Sequence, residues 1–191
     1  MIITLVRHGE VEEAYHRCYN GHNDIALSPK GVSEAAELGE HFAQQNFDAI
    51  FSSDLRRCQE TLTHITASPH IPLTLTQNLR EKSWGRHEGM TFDAITKRDG
   101  LIYHDFLQWI NALDGEPYDA YIERIKTFFT KTLPLTPYNN VLVVTHAGVI
   151  RVLMHILQEI PLQEAFSIEF PYGAYTTLDT NNWVFGAVQC V

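Results

Sequence analysis

The sequence predicts an α/β protein, layered α/β/α around a mainly parallel central sheet, with a helical cap segment beside it. Three observations carry this expectation. The short apolar runs Ile2 to Val6, Ala49 to Phe51 and Val141 to Val144 lack alternation, as strands covered on both faces do. Stretches of helical periodicity separate them, and that alternation builds a parallel sheet. Each run ends in polar residues, Arg7-His8, Ser52-Ser53-Asp54 and Thr145-His146, at the strand ends where open parallel sheets bind ligands.

After the first strand, Val11 to Leu27 has little periodicity and reads as a loop. Ser28-Pro29 supplies an N-cap and a first-turn proline for a helix whose apolar face is Val32, Ala35, Ala36, Gly39, Phe42 and Ala43. Ser52-Ser53-Asp54 offers caps for a second helix with Leu55, Cys58, Leu62 and Ile65 inside. Arg56 and Arg57 fall in its first turn, where the helix dipole disfavours cations, so they call for an anion nearby or for solvent. Leu73 to Leu75 is a candidate third strand. From Thr91 to Leu133 the pattern is helical, with starts at Thr91 and Pro117 and anchors at Phe92, Ile95, Phe106, Trp109, Tyr121, Ile125 and Phe128. This is the cap segment, about 91–133. A helix through Val152, Leu153, Ile156 and Leu157 follows the Val141 strand. The tail, Ala165 to Phe170, Ala174 to Leu178 and Trp183 to Val188, alternates and turns at Asn181-Asn182, an antiparallel ending. With no linker or repeat, one domain over residues 1–191 is expected.

The totals narrow the function. Fourteen basic against 23 acidic residues give a net charge of −9, which argues against a non-specific nucleic-acid binder. Arginines gathered locally still allow a small anionic ligand. Cys18, Cys58 and Cys190 are odd in number, far apart and without C-x-x-C spacing, so no disulfide framework or zinc site is expected, and a reducing cytoplasm fits. No signal peptide is read, because the sequence enters an apolar run at Ile2 with no basic leader or cleavage-type segment, and no membrane span, because the apolar stretch from Val141 to Leu157 is interrupted by His146, Arg151 and His155. The oligomeric state is left open.

The motifs carry the chemistry. Arg7-His8-Gly9-Glu10, then Ser52-Ser53-Asp54-Leu55 with Arg57, then Glu81 before Gly85, then Thr145-His146-Ala147-Gly148 together resemble the histidine phosphatase (phosphoglycerate mutase-like) superfamily. The four motifs, in order, span most of the chain. The resemblance implies a metal-independent, cofactor-free phosphomonoesterase with a phosphorylated small-molecule substrate and no nucleic-acid or membrane partner. A neutral imidazole is a good nucleophile toward phosphorus, so His8 is expected to carry a covalent phosphate. Arg7, Arg57 and His146 are expected to bind the phosphoryl oxygens, and Glu81 to act as acid and later as base.

Asn20 and Gly21 resemble the family's loop over the phosphate. Asn-Gly also makes an ordinary turn, and both readings stand. Arg17, Arg56, Arg86 and Trp84 are each as consistent with a solvated or packing role as with lining the pocket. The mutase-type pattern continues with a small hydroxyl residue and an asparagine where this chain has Val11 and Ala14, which favours phosphatase over mutase. Arg7 to Glu12, followed by Arg17 to Gly21 and Asp24 to Ser28, is most similar to the alpha-ribazole phosphatases, with a broad-specificity sugar-phosphate phosphatase as the alternative. A non-catalytic phospho-ligand module is disfavoured by the complete residue set. A metallohydrolase is disfavoured because no H-x-x-H or H-E-x-x-H spacing occurs.

Overall fold

A computed structural model describes residues 1–65, 70–100 and 102–191. Six strands form one sheet in the order β3, β2, β4, β1, β5, β6. They are β1 (Ile2–Arg7), β2 (Ala49–Ser53), β3 (Leu73–Thr76), β4 (Asn140–Thr145), β5 (Tyr175–Asp179) and β6 (Val184–Phe185). The first four run parallel, and β5 and β6 close the sheet antiparallel beyond β1.

Side-chain alternation sorts the strands' apolar residues into two layers. Val6, Ile50, Leu142 and Val144 meet Leu38, Phe42, Cys58 and Leu62 of the helices α1 (Pro29–Phe42) and α2 (Arg56–Ile65). Ile3, Leu5, Phe51, Val141 and Val143 face the other way. There they meet Tyr121 and Ile125 of α5 (Tyr118–Thr127) and Val149 and Leu153 of α6 (Ala147–Gln158). This is the α/β/α layering that the sequence predicts.

The chain leaves β1 towards β2 and leaves β4 towards β5, on opposite sides of the β1/β4 pair. A crevice therefore opens at the carboxyl ends of these two strands, where Arg7-His8 and His146 emerge.

Local details correct some expectations. Ser28 caps α1 by accepting from the Gly31 N–H at 3.0 Å, but the buried face is Gly31, Ala35, Leu38 and Phe42, while Val32 and Ala43 are exposed. Leu38 lies one turn from Ala35 and Phe42 and takes the place assigned to Gly39. Asp54 does not cap α2. Its carboxylate pairs with Arg80 at 2.6 Å, and the Arg56 N–H is taken by Asp24 from the preceding loop, also at 2.6 Å. The cap segment forms α3 (Phe92–Asp99), α4 (Phe106–Ala112) and α5, started by Thr91, Asp105 and Pro117. Phe92 is 39% exposed but still packs its ring against Tyr103 and the buried Trp109. Ala165 does not begin a strand. It lies in α7 (Leu162–Ser167), where Pro161 sets the helix start and the spacing of Leu162, Ala165 and Phe166 gives one inward face.

Candidate active site

Two backbone hydrogen bonds hold His8 just beyond β1. Its N–H donates to the Thr145 carbonyl at 3.0 Å, and its carbonyl accepts from the Gly173 N–H at 3.2 Å. The ring Nδ1 lies 2.8 Å from the Gly9 carbonyl, an oxygen that can only accept. The proton therefore sits on Nδ1, and Nε2 keeps its lone pair. Burial first, and then the cations of Arg57 and Arg7, hold His8 well below the usual imidazole range. The ring is a neutral base with a free nucleophilic nitrogen.

His146 caps the start of α6, with its ring centroid 5.1 Å from that of His8. Arg57 Nε donates to His146 Nδ1 at 3.3 Å, which leaves the His146 proton on Nε2 to donate to Ser53 Oγ at 3.0 Å. Burial and the Arg57 charge keep this ring neutral too.

The two helix-start arginines part ways, as the roughly 100° between neighbouring helical residues requires. Arg56 is solvent-exposed and pairs with Glu60 at 2.6 Å, while Arg57 is 1% exposed. Arg57 is held by the carbonyls of Gly21, at 2.7 Å, and Asn23, at 2.9 Å. Arg7 donates to the Phe170 carbonyl, stacks 3.7 Å over the Tyr172 ring, and has a buried Nε without a partner among the described residues. Burial lowers its pKa to about 10, so it stays charged at neutral pH.

Glu81 faces these cations across the crevice. Its carboxylate accepts from Tyr121 Oη at 2.5 Å, from the Gly148 N–H in the first turn of α6 at 3.0 Å, and from the Lys82 N–H at 3.0 Å. Gly148 is required here. A Cβ at that position would overlap Glu81 Oε1 and lie 2.6 Å from Oε2.

The resulting pocket, about 210 Å³, brings together Arg7, His8, Arg57, Glu81 and His146. Asn20 and Trp84 also line it, whereas Gly21, Arg17, Arg56 and Arg86 do not. Gly21 acts through its backbone. Its carbonyl holds Arg57, and its α-carbon packs so close to the Lys82 carbonyl that a side chain would collide. Sequence reasoning left out Glu88, which ties this loop to the next by accepting from the N–H groups of Gly21, His22 and Trp84 at 2.7, 2.8 and 2.9 Å. It also left out Tyr118, Tyr121, Arg151 and Tyr172 as pocket residues. The one available signal was Arg151, a cation inside a mostly apolar helix.

Two histidine rings, two buried guanidinium groups and one carboxylate around a single cavity suit an incoming phosphate monoester. The arginines complement its anionic oxygens, and the free His8 nitrogen can reach phosphorus.

Comparison with known proteins agrees. A family model described as "Histidine phosphatase superfamily (branch 1)" matches residues 3–189. The adenosylcobalamin/alpha-ribazole phosphatase of Escherichia coli (strain K12) is 26% identical over 184 residues, 95% of this chain and 91% of that protein. A broad-specificity phosphatase of Saccharomyces cerevisiae is 27% identical over 82% of this chain and 70% of its own. The crystal structure of the alpha-ribazole phosphatase from Shigella flexneri superposes with a TM-score of 0.84 at 24% identity, covering 100% of this chain and 96% of that one, a likeness of fold.

Proposed function

We propose that this chain, which belongs to the histidine phosphatase superfamily and is a phosphatase, works through a phosphohistidine on His8 and acts on alpha-ribazole 5′-phosphate. The observation that carries the mechanism is the His8 tautomer. Its proton is committed to the Gly9 carbonyl, and burial, with the cations of Arg57 and Arg7, keeps the ring uncharged.

In the first step His8 Nε2 forms a bond to phosphorus while the ester P–O bond breaks. Arg7 and Arg57 hold the equatorial oxygens, where the transition state spreads its charge, and His146 joins them by turning its Nε2–H from Ser53 Oγ to a phosphoryl oxygen. Glu81 gives a proton to the leaving oxygen. In the second step water attacks phosphorus, passes a proton to Glu81, and the P–N bond breaks to release inorganic phosphate and neutral His8. Proton and charge are restored after each turnover. Tyr121 and Gly148 keep the Glu81 carboxylate on the leaving-group side.

In this reading one domain carries the reaction, with the helical segment of about 91–133 as its cap and Asn20 at the pocket's edge. Support for the substrate comes from the 26% identical Escherichia coli relative and from the similar length of the two chains. The yeast relative favours a second reading, a broad-specificity sugar-phosphate phosphatase.

Two measurements test the proposal. Acid-quenched wild type should carry an acid-labile, base-stable phosphate that His8→Ala lacks; label on serine, or an active His8→Ala, refutes the mechanism. A screen of phosphomonoesters including 3-phosphoglycerate should give the highest kcat/KM for alpha-ribazole 5′-phosphate. Flat values across sugar phosphates would replace that substrate with the broad-specificity reading.

A further inference from the structure

Beyond the phosphate end, the pocket wall holds polar capacity that the reaction steps leave unused. Tyr118, at the start of α5, is 7% exposed, and its hydroxyl is buried without a hydrogen-bond partner among the described residues. A phenol in that state is unfavourable unless a ligand completes it, since a buried polar group without a partner has lost its water and gained nothing in return. Arg151, one turn into α6, lines the same pocket. Its Nε donates to the Ile168 carbonyl at 3.0 Å, and neither terminal nitrogen has a partner among the described residues. The guanidinium lies near the Phe166 ring, 5.9 Å from its centroid, which holds it along the wall rather than out in solvent.

Glu81 is the neighbour of both. The field of its carboxylate acts on Arg151 and on Tyr118, so this part of the wall already contains a compensating negative charge. A carboxylate or second phosphate on the substrate would gain from Arg151 but meet the Glu81 carboxylate as soon as Glu81 has given its proton to the leaving oxygen. A pair of neutral hydroxyls avoids that repulsion. Their oxygens can accept from the two terminal nitrogens of Arg151, and one can exchange hydrogen bonds with the Tyr118 hydroxyl, which both donates and accepts.

We infer that Tyr118 and Arg151 form a leaving-group subsite that reads the vicinal hydroxyls of a sugar phosphate. The inference rests on the phosphatase reading and deepens it. It makes the enzyme selective for ribose-type esters whatever base they carry, and it gives the mostly apolar α6 a reason for its arginine.

The test uses the full chain with adenosine 5′-monophosphate, its 2′,3′-dideoxy analogue and p-nitrophenyl phosphate. Wild type should favour the diol nucleotide over the dideoxy one by about tenfold or more in kcat/KM, because a site built to hydrogen-bond a hydroxyl rejects the analogue lacking it. Tyr118→Phe and Arg151→Met should each bring that ratio down towards one. The ratio is read within one protein, so a general loss of activity cancels. Wild type that turns over p-nitrophenyl phosphate but does not prefer the diol overturns the subsite while leaving the phosphatase intact. A preference that survives in both variants also overturns it. Absence of p-nitrophenyl phosphate turnover by wild type overturns the phosphatase reading itself.

Discussion

Replacing Gly148 with alanine should disable the acid while leaving the fold intact. Gly148 is the second residue of α6, and its N–H donates to Glu81 Oε2 at 3.0 Å. A Cβ there would overlap Oε1 and stand 2.7 Å from the Glu81 carboxyl carbon, against about 3.5 Å or more for relaxed carbon contacts. The carboxylate must retreat by about 1 Å, at the end of a side chain that can swing, and a misplacement of that size costs on the order of 100-fold in rate. Backbone effects run the other way. Alanine is favoured over glycine in a helix interior by about 1 kcal/mol, so the variant should unfold at the same or higher urea concentration. The assay is the phosphoenzyme burst by rapid quench with an alkyl phosphate and with p-nitrophenyl phosphate. The alkyl ester should slow by about 100-fold and the activated phenyl ester by far less, because a phenolate leaves with little help from an acid. Placed in a Glu81→Ala background, Gly148→Ala should add nothing, as two changes acting through one group are not additive. Wild-type bursts with the alkyl ester, or a full further loss in the Glu81→Ala background, would refute the reasoning.

Arg57→Ala should lower kcat/KM on any phosphomonoester by about 100-fold or more, as loss of a charge-stabilising donor does, while Arg56→Ala stays within about threefold. Equal defects would contradict the burial of one and exposure of the other. Glu81→Gln should reproduce the substrate dependence of Gly148→Ala in the burst phase, and equal slowing of both esters would make Glu81 a positioning group instead of an acid. The buried neutral histidines predict a pH effect on stability. With the folded pKa of His146 depressed, the unfolded chain takes up a proton that the folded one refuses as pH falls below about 6.5, so stability is lost towards acid by about 1.4 kcal/mol per pH unit for that ring. Urea titrations between pH 6.5 and 5 should show a slope shallower by one proton in His146→Asn than in wild type, and identical slopes would refute the assignment. Turnover of p-nitrophenyl phosphate should persist unchanged in excess chelator, and its loss would transfer the chemistry to a metal.

What the sequence made legible was whatever lies at the end of a buried strand. Arg7, His8 and His146 come at the ends of buried, mainly apolar strands, and a polar residue at such a place must either be satisfied locally or face the crevice. The first-turn position marked Arg56 and Arg57 alike as cations in need of compensation, and only the motif resemblance singled out Arg57. The compensation itself was not readable. It comes from the carbonyls of Gly21 and Asn23, more than 30 residues upstream, in a loop whose shape depends on Glu88 in yet another loop. Periodicity reports which face of an element is apolar and says nothing about which loops meet.

Tyr121 illustrates the limit more sharply. Its helical spacing marks it as a core anchor, and it is one, with its ring fully buried. Yet its hydroxyl crosses to Glu81, 40 residues earlier, and helps hold the carboxylate at the α6 N-terminus. The same residue thus packs the core layer beneath the sheet and orients the acid above it. This arrangement couples the cap to the chemistry. A repacking of α5 that shifts Tyr121 would move Glu81 without touching any motif residue, so rate defects should arise from cap substitutions whose effect on stability is small. Tyr121→Phe separates the two roles, since it keeps the ring and deletes one charge-assisted hydrogen bond, typically about 1.5–3 kcal/mol for a bond to a charged group. If Tyr121 only packs, alkyl-phosphate bursts in Tyr121→Phe will match wild type; if it orients the acid, they will fall while p-nitrophenyl phosphate bursts fall less.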